Sequence, residues 1–263
     1  MKAIVTGARG TVGRALMRIL DEQGHQAQPW DRTRVPIGDY SAMSAFVDSV
    51  SPDVIFHLAV PSQPTGAENE HWLVNWLWPS ELAWLCRERG AAFVFASTVM
   101  VYSDKAKGPF TPDTPPDTNE GYAGGKLAAE ARVREQHPSG TRIARLGWQI
   151  STAPGANSMI EHFRRMRREK GAVCASRLFI PACSFVEDSA LSLIRIAQLP
   201  PDTYLVDSNV DADPLDAIAR ALSKALDEPW NVQATEDFAQ DQRMLDPRVG
   251  TPALRARLPW LGK

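Results

Sequence analysis

The sequence predicts an α/β fold, a parallel sheet doubly wound by helices on both faces, with a smaller lobe built from the C-terminal third. Three observations predict it. Over the first two-thirds, short apolar runs alternate with longer amphipathic segments, the pattern of strands joined by right-handed helical crossovers. The first apolar run enters a glycine-rich turn, TGARGTVG at 6–13, that opens a helix. From about Gly147 the alternation loosens and prolines and acidic residues punctuate the chain.

The elements follow in order. Lys2 to Thr6 reads as a strand, and Thr11 to Glu22 as a helix with Val12, Ala15, Leu16 and Ile19 at helical spacing. Gln26 to Trp30 is a weak second strand, Ala42 to Val50 a helix, and Val54 to Leu58 a buried strand. A long helix is expected from about Glu68 to Arg89, a strand over Ala92 to Ala96, a helix over Gly121 to Gln136 and a strand over Arg142 to Leu146. Later helices are read at Met159 to Glu169, Glu187 to Ala197 and Asp216 to Leu226. The Pro-, Thr- and Asp-rich run from Lys105 to Thr118 reads as an ordered loop over a site.

At 263 residues the chain can bury a full core as one large domain, or one domain with a small appendage. A net charge of -2 gives no electrostatic case for nucleic acid or a membrane surface as partner. Cys86, Cys174 and Cys183 are far apart, show no metal-ligand spacing and suit a reducing compartment. The histidines form no metal grouping, so no metal is expected. No run approaches the roughly 20 apolar residues of a membrane span, and the start lacks a signal-peptide pattern. The expectation is a cytoplasmic protein.

The turn carries the first functional signal. Gly7 permits the tight bend, Gly10 lets backbone approach a pyrophosphate, and Gly13 lets the helix pack closely on the strand. The N–H groups of the first turn, at Thr11 and Val12, then face phosphate. This is the dinucleotide-binding arrangement of a Rossmann-like sheet, and a plain tight turn without ligand is its bland alternative. Asp31, at the end of the second strand, suits the ribose hydroxyls of NAD(H). Arg32 and Arg34 beside it, with Arg9 in the turn, suit a 2'-phosphate. Three guanidinium groups against one carboxylate favour NADP(H) over NAD(H). Asp39 either accepts from adenine or caps the following helix. Residues 1–150 are read as the nucleotide-binding domain. Residues 151–263 form a smaller substrate-binding lobe, with some of its strands and helices returning to the first domain.

Tyr122 and Lys126 lie four residues apart on one face of a predicted helix. A nearby ammonium stabilises a phenolate and lowers the phenol pKa from about 10. Ser97 and Thr98 end the strand from Ala92, where open α/β sheets bind ligands, and Thr98 can polarise a carbonyl beside Tyr122.

These motifs carry a resemblance. TGARGTVG, HLAV at 57–60, Asn75, STVMVY at 97–102 and YAGGK at 122–126 resemble the extended short-chain dehydrogenase/reductases. The resemblance implies a catalytic trio of Thr98, Tyr122 and Lys126, a Lys126 contact to the nicotinamide ribose, and Leu58 and Ala59 beside the cofactor. RIARLGWQI at 142–150 and IPACSFVEDSALSLI at 180–194 resemble the branch of nucleotide-sugar 4-keto reductases that includes dTDP-4-dehydrorhamnose reductase. That implies an NAD(P)H-dependent reductase of a nucleotide sugar, with Tyr122 as general acid. Two alternatives stay open: a nucleotide-sugar epimerase with tightly held NAD, and a non-catalytic NADP-binding sensor on the same fold. Val99 and Met100 stand where dehydratases carry acids, which argues against that activity.

Trp148 and Arg177 are candidates for the substrate, the indole for the sugar and the guanidinium for a diphosphate. Trp72, Trp76 and Trp84 suit core packing or a homodimer interface better than a sugar platform. The basic run Arg164, Arg165, Arg167, Arg168 and Lys170 reads mainly as a solvated helix face, and His57 as a packing residue.

Overall fold

The computed structural model describes residues 1–60, 68–154 and 156–261. Its centre is a six-stranded, all-parallel sheet. The strands are β1 (Lys2–Thr6), β2 (Gln26–Pro29), β3 (Val54–His57), β4 (Ala92–Thr98), β5 (Thr141–Leu146) and β10 (Thr203–Val206), in the spatial order β10-β5-β4-β3-β1-β2. The order reverses direction at β1, so the ends of β1 and β3 open the crevice in which such sheets bind ligands.

Two hydrophobic layers hold the sheet. On one face, Leu16, Ile19 and Leu20 of α1 (Thr11–Glu22) pack with Val186, Ala190 and Leu193 of α7 (Val186–Ile196) over Val5, Phe56 and Val94. On the other, α2 (Tyr40–Val50), α4 (Trp78–Arg89) and α5 (Gly121–Gln136) close over Ile4, Ile55, Phe93 and Phe95. β1, β3 and the body of β4 read as near-continuous apolar runs because both faces are covered.

The expected long helix is composite. α3 (Glu70–Trp72) passes through a π-helical turn (Leu73–Leu77) before α4 begins. Pro79 cannot donate to the carbonyl four residues back, and the wider turn accommodates the lost bond. β4 runs two residues beyond its expected end, which places Ser97 opposite Arg145 and Thr98 opposite Leu146 of β5.

A third core cluster lies in the C-terminal part. There α6 (Met159–Lys170) and α8 (Leu215–Ala225) pack Ile160, Phe163, Ile218 and Leu222 against Trp230, Leu254 and Leu258. Short parallel pairs trim it: β6 (Trp148–Ile150) with β9 (Cys183–Phe185), β7 (Val173–Ser176) with β11 (Val232–Thr235), and β8 (Phe179–Ile180) with β12 (Gln240–Asp241). β10 and α7, although late in sequence, belong to the main sheet and its helical cover. Among the described residues no helix is long and apolar enough to cross a membrane.

Candidate active site

Steric necessity governs the β1–α1 turn. Gly7 has φ +66, and a Cβ there would stand 2.9 Å from the Ala59 nitrogen. A Cβ on Gly13 would stand 2.1 Å from the Gly7 carbonyl oxygen. Gly10 precedes α1 as its N-cap without a side-chain cap bond, and no acidic residue lies in the first turn. The early N–H groups, Thr11 and Val12 among them, are left to an outside acceptor, and the helix end is electropositive. That donor set fits a dinucleotide pyrophosphate. Thr6 braces the adjoining strand end: its hydroxyl oxygen accepts from the N–H groups of Leu58 and Ala59, at 3.2 and 3.3 Å, and lies 3.1 Å from His57 Nδ1.

The charges beyond β2 are arranged unequally. Asp31 folds back on its own loop, accepting from the Thr33 N–H at 2.9 Å and its hydroxyl at 2.8 Å. These bonds, with smaller contributions from Arg9 and Arg34, hold its carboxyl below the usual range. Arg32 turns the other way and donates to buried Glu70 at 2.8 Å. Arg9 and Arg34 are exposed. Asp39 caps α2, accepting from the Ala42 N–H at 2.9 Å, the structural one of its two anticipated roles.

Across the crevice, α5 packs on β4 and on the 3-10 turn Val99–Val101. Thr98 ends β4, and its oxygen accepts from the Met100 N–H at 3.2 Å, leaving the hydroxyl proton free to donate. Tyr122 is half-exposed. Lys126 is buried, its Nζ 4.2 Å above the centre of the Phe95 ring. Burial brings the Lys126 ammonium down from 10.5 to about 8, with Glu130 acting to raise it. The phenol differs from expectation. Desolvation raises Tyr122 above its ordinary 10.0, and no lowering from Lys126 accompanies it, so the ring remains protonated. His57 is wholly buried against Phe95 and Trp78, and burial first, then the Lys126 charge, hold it well below 6.5. It is a neutral packing residue.

Beneath the Tyr122 helix lies a charged network that spacing alone did not reveal. Arg145 of β5 donates to Glu130 of α5 through Nε at 3.1 Å and Nη2 at 2.7 Å, and to the Tyr102 hydroxyl at 2.8 Å. Ser97 of β4 donates to the same Glu130 carboxylate. Tyr102 stacks on Phe110 at 4.0 Å. The available signals were two arginines, Arg142 and Arg145, in one short inner strand, and a glutamate four residues beyond Lys126.

The remaining candidates are dispersed. Trp148 is half-buried in β6, edge-on to His162 at 5.2 Å, and packs on the C-terminal core. Arg177 stands exposed between β7 and β8, 3.3 Å from Glu236, and no contact joins it to the Tyr122 helix among the described residues. Arg164 is tied to Glu161 and Glu228 rather than open to a ligand. Trp72 and Trp76 stack on each other at 5.4 Å, while Trp78 is core. The Lys105–Thr118 loop lays its prolines over a cavity of about 620 Å³ lined by Leu127, Glu130, Arg134 and Arg145. Among the described residues, no group of three or more His, Cys, Asp or Glu side chains is placed to hold a metal.

A parallel sheet with a reversal at β1 and a glycine turn leading into α1 defines a Rossmann-like protein. More narrowly, the chain belongs to the RmlD substrate binding domain family, whose model matches residues 1–181. A dTDP-4-dehydrorhamnose reductase of Streptomyces griseus is 32% identical over 164 residues, 61% of this chain and 54% of that protein. The chain therefore spans about half the length of that relative. The fold is shared with a dTDP-4-dehydrorhamnose reductase of Bacillus anthracis solved with NADP, at TM-score 0.81, 21% identity and 98% coverage of both chains. It is also shared with WbmH of Bordetella bronchiseptica solved with NAD+, at TM-score 0.75, 18% identity and coverage of 94% of this chain and 90% of that one.

Proposed function

We propose that the chain is an NAD(P)H-dependent oxidoreductase that reduces the 4-keto group of a nucleotide sugar. The observation that carries the reading is the packing of the Tyr122–Lys126 helix on the strand end bearing Thr98, across the crevice from the glycine turn. Gly7, Gly10 and Gly13, with the N–H groups of Thr11 and Val12, would hold a dinucleotide pyrophosphate. Leu58 and Ala59 would border it, and Lys126 would meet the nicotinamide ribose. Arg9 favours NADP(H) through the 2'-phosphate, and Arg32 would join it by leaving Glu70. Asp31, engaged by Thr33, is poorly presented for the ribose diol that NAD(H) offers. The bound cofactor supplies the hydride.

The protein's own groups manage the oxygen. Thr98 donates a hydrogen bond to the carbonyl and polarises it. Tyr122 gives its proton to the developing alkoxide, and its raised pKa keeps that proton in place before reaction. Lys126 stabilises the phenolate left behind. In this reading the part after residue 150, apart from α7 and β10 that return to the main sheet, is the substrate-binding lobe, with Trp148 at its edge lining the sugar and Arg177 on the nucleotide diphosphate. A homodimer would form through the Trp-bearing helix.

The test is NADPH oxidation, with NADH in parallel, against a panel of 4-keto-6-deoxy nucleotide sugars. Turnover in the wild type, reduced about 10²- to 10⁴-fold in Tyr122→Phe with NADPH binding retained, is expected. Cofactor binding without turnover on any sugar would overturn the substrate assignment and favour the sensor reading.

A further inference from the structure

Three elements, α5, β5 and β4, meet at one buried carboxylate. Glu130 sits one helical turn beyond Lys126 on α5, receives two N–H groups of Arg145 from β5, and receives the Ser97 hydroxyl from β4. Glu130 and Arg145 are each about 5% exposed or less. An ion pair this deep is weak evidence for stability, because desolvating both ions offsets most of their attraction. Its position therefore calls for another explanation. The pair joins the helix that carries Tyr122 and Lys126 to β5, and the Ser97 hydroxyl joins the same carboxylate to the strand end that carries Thr98.

We propose that Glu130 is a positioning residue for the reaction: clamped by Arg145 and Ser97, it aligns α5 with the end of β4 and keeps the Lys126 ammonium charged. The proposal rests on the assignment of Lys126 made above. Charge around Lys126 is sparse. Its own helix presents Tyr122 and Glu130, β3 presents neutral His57, and β4 presents the Phe95 ring. The Leu73–Leu77 turn contains no ionisable residue. α4, which also packs on α5, contributes the Glu81 carboxyl, pushed up by burial toward its neutral form. Arg145 reaches Lys126 only through Glu130. Among the described residues no acceptor lies within hydrogen-bonding distance of the Lys126 Nζ. A buried ammonium without such an acceptor sheds its proton readily, and Glu130 is the one charge that opposes the loss.

The consequence is a pH signature. In Glu130→Gln, the alkaline limb of NADPH affinity, followed by cofactor fluorescence, and of kcat/KM should both move about one unit toward acid, a tenfold loss on that limb. Glu130→Asp retains the charge and should restore the limb while kcat stays low. Because Glu130→Gln leaves Arg145 buried and unpaired, Glu130→Gln/Arg145→Met is measured beside it. That double variant removes the lone charge, and the limb should still move, since Glu130 is absent. An unmoved limb in whichever of these variants folds overturns the proposal, as does failure of both to fold, which would make the pair purely structural. The NADPH titration needs no sugar, so a wrong substrate assignment and a wrong role for Glu130 give separate results.

Discussion

Around the glycine turn, Arg9 and Arg34 stand in solvent near Asp31, and Arg32 reaches from a half-exposed position to Glu70. Under the Tyr122 helix, Lys126, Glu130 and Arg145 are withdrawn from water. The same kinds of group obey different physics in the two places. Exposed ion pairs contribute about 0–1 kcal/mol and are screened by salt. Buried charges each carry a desolvation penalty of several kcal/mol unless paired and hydrogen-bonded. Arg9 and Arg34 can therefore be substituted without risk to the fold, whereas Arg32, paired with buried Glu70, shares the constraint of the buried set, in which charge and stability are bound together.

The sharpest way to break that contrast is to unpair the buried set. Arg145→Met should leave the Glu130 carboxylate buried without its main partner and lower unfolding stability by about 3–5 kcal/mol. Adding Glu130→Gln should recover most of the loss, because the double variant buries no lone charge. Urea denaturation of both variants checks this. A fall below about 1 kcal/mol in the single variant would mean that the pair behaves like a surface bridge.

Lys126 predicts the opposite sign. Burial depresses its folded pKa from 10.5 to about 8. A depressed lysine is disfavoured while charged: the penalty is absent above 10.5, grows as pH falls, and is complete below about 8. At pH 7 it is about 3 kcal/mol. Lys126→Met should therefore be more stable than the wild type at pH 7 by up to that amount, lose the advantage above pH 10.5, and lack turnover. Thermal melts across pH read it directly. A variant less stable than the wild type at pH 7 would show that Lys126 holds the fold rather than burdening it, against the usual trade between site and stability.

How far the sequence reveals such differences depends on the range of the interaction. The glycine turn was legible because Gly7, Gly10 and Gly13 meet local steric demands, a positive φ at one and backbone contacts at the others. The inner strands were legible because burial on both faces leaves runs such as Val54–His57 uniformly apolar. β10 was missed: Thr203–Val206 is as short and as buried as Val54–His57, but it lies in the C-terminal third, where prolines and acidic residues break the strand–helix alternation that marks the earlier strands. The two-residue strands β8 and β12 are too short to show a period. The π-helical turn was hidden by a continuous helical pattern, with Pro79 its single cue. Within the site, Tyr122 and Lys126 could be paired by spacing, but Ser97, Glu130 and Arg145 come from three elements. Only the sheet register, with Ser97 opposite Arg145, brings them together. The raised Tyr122 phenol also follows from desolvation by the folded chain, whereas spacing suggested a lowered one.

The smallest predicted effect belongs to the exposed set. Arg9 lies in the glycine turn, is solvent-exposed, and acts on Asp31 only weakly. Its guanidinium can meet the one group that distinguishes NADPH from NADH. Arg9→Ala should therefore weaken NADPH binding about tenfold at low ionic strength, leave NADH binding nearly unchanged, and leave the melting temperature where it was. Added salt should shrink the difference between wild type and variant, because an exposed contact is screened within a Debye length of about 10 Å at 0.1 M. Parallel fluorescence titrations of the two cofactors at low and high salt make the measurement. Equal losses for NADPH and NADH would place Arg9 on the pyrophosphate that both share. A loss that ignored salt would mean that the arginine becomes buried on binding, so that the exposed set would follow the rules of the buried one.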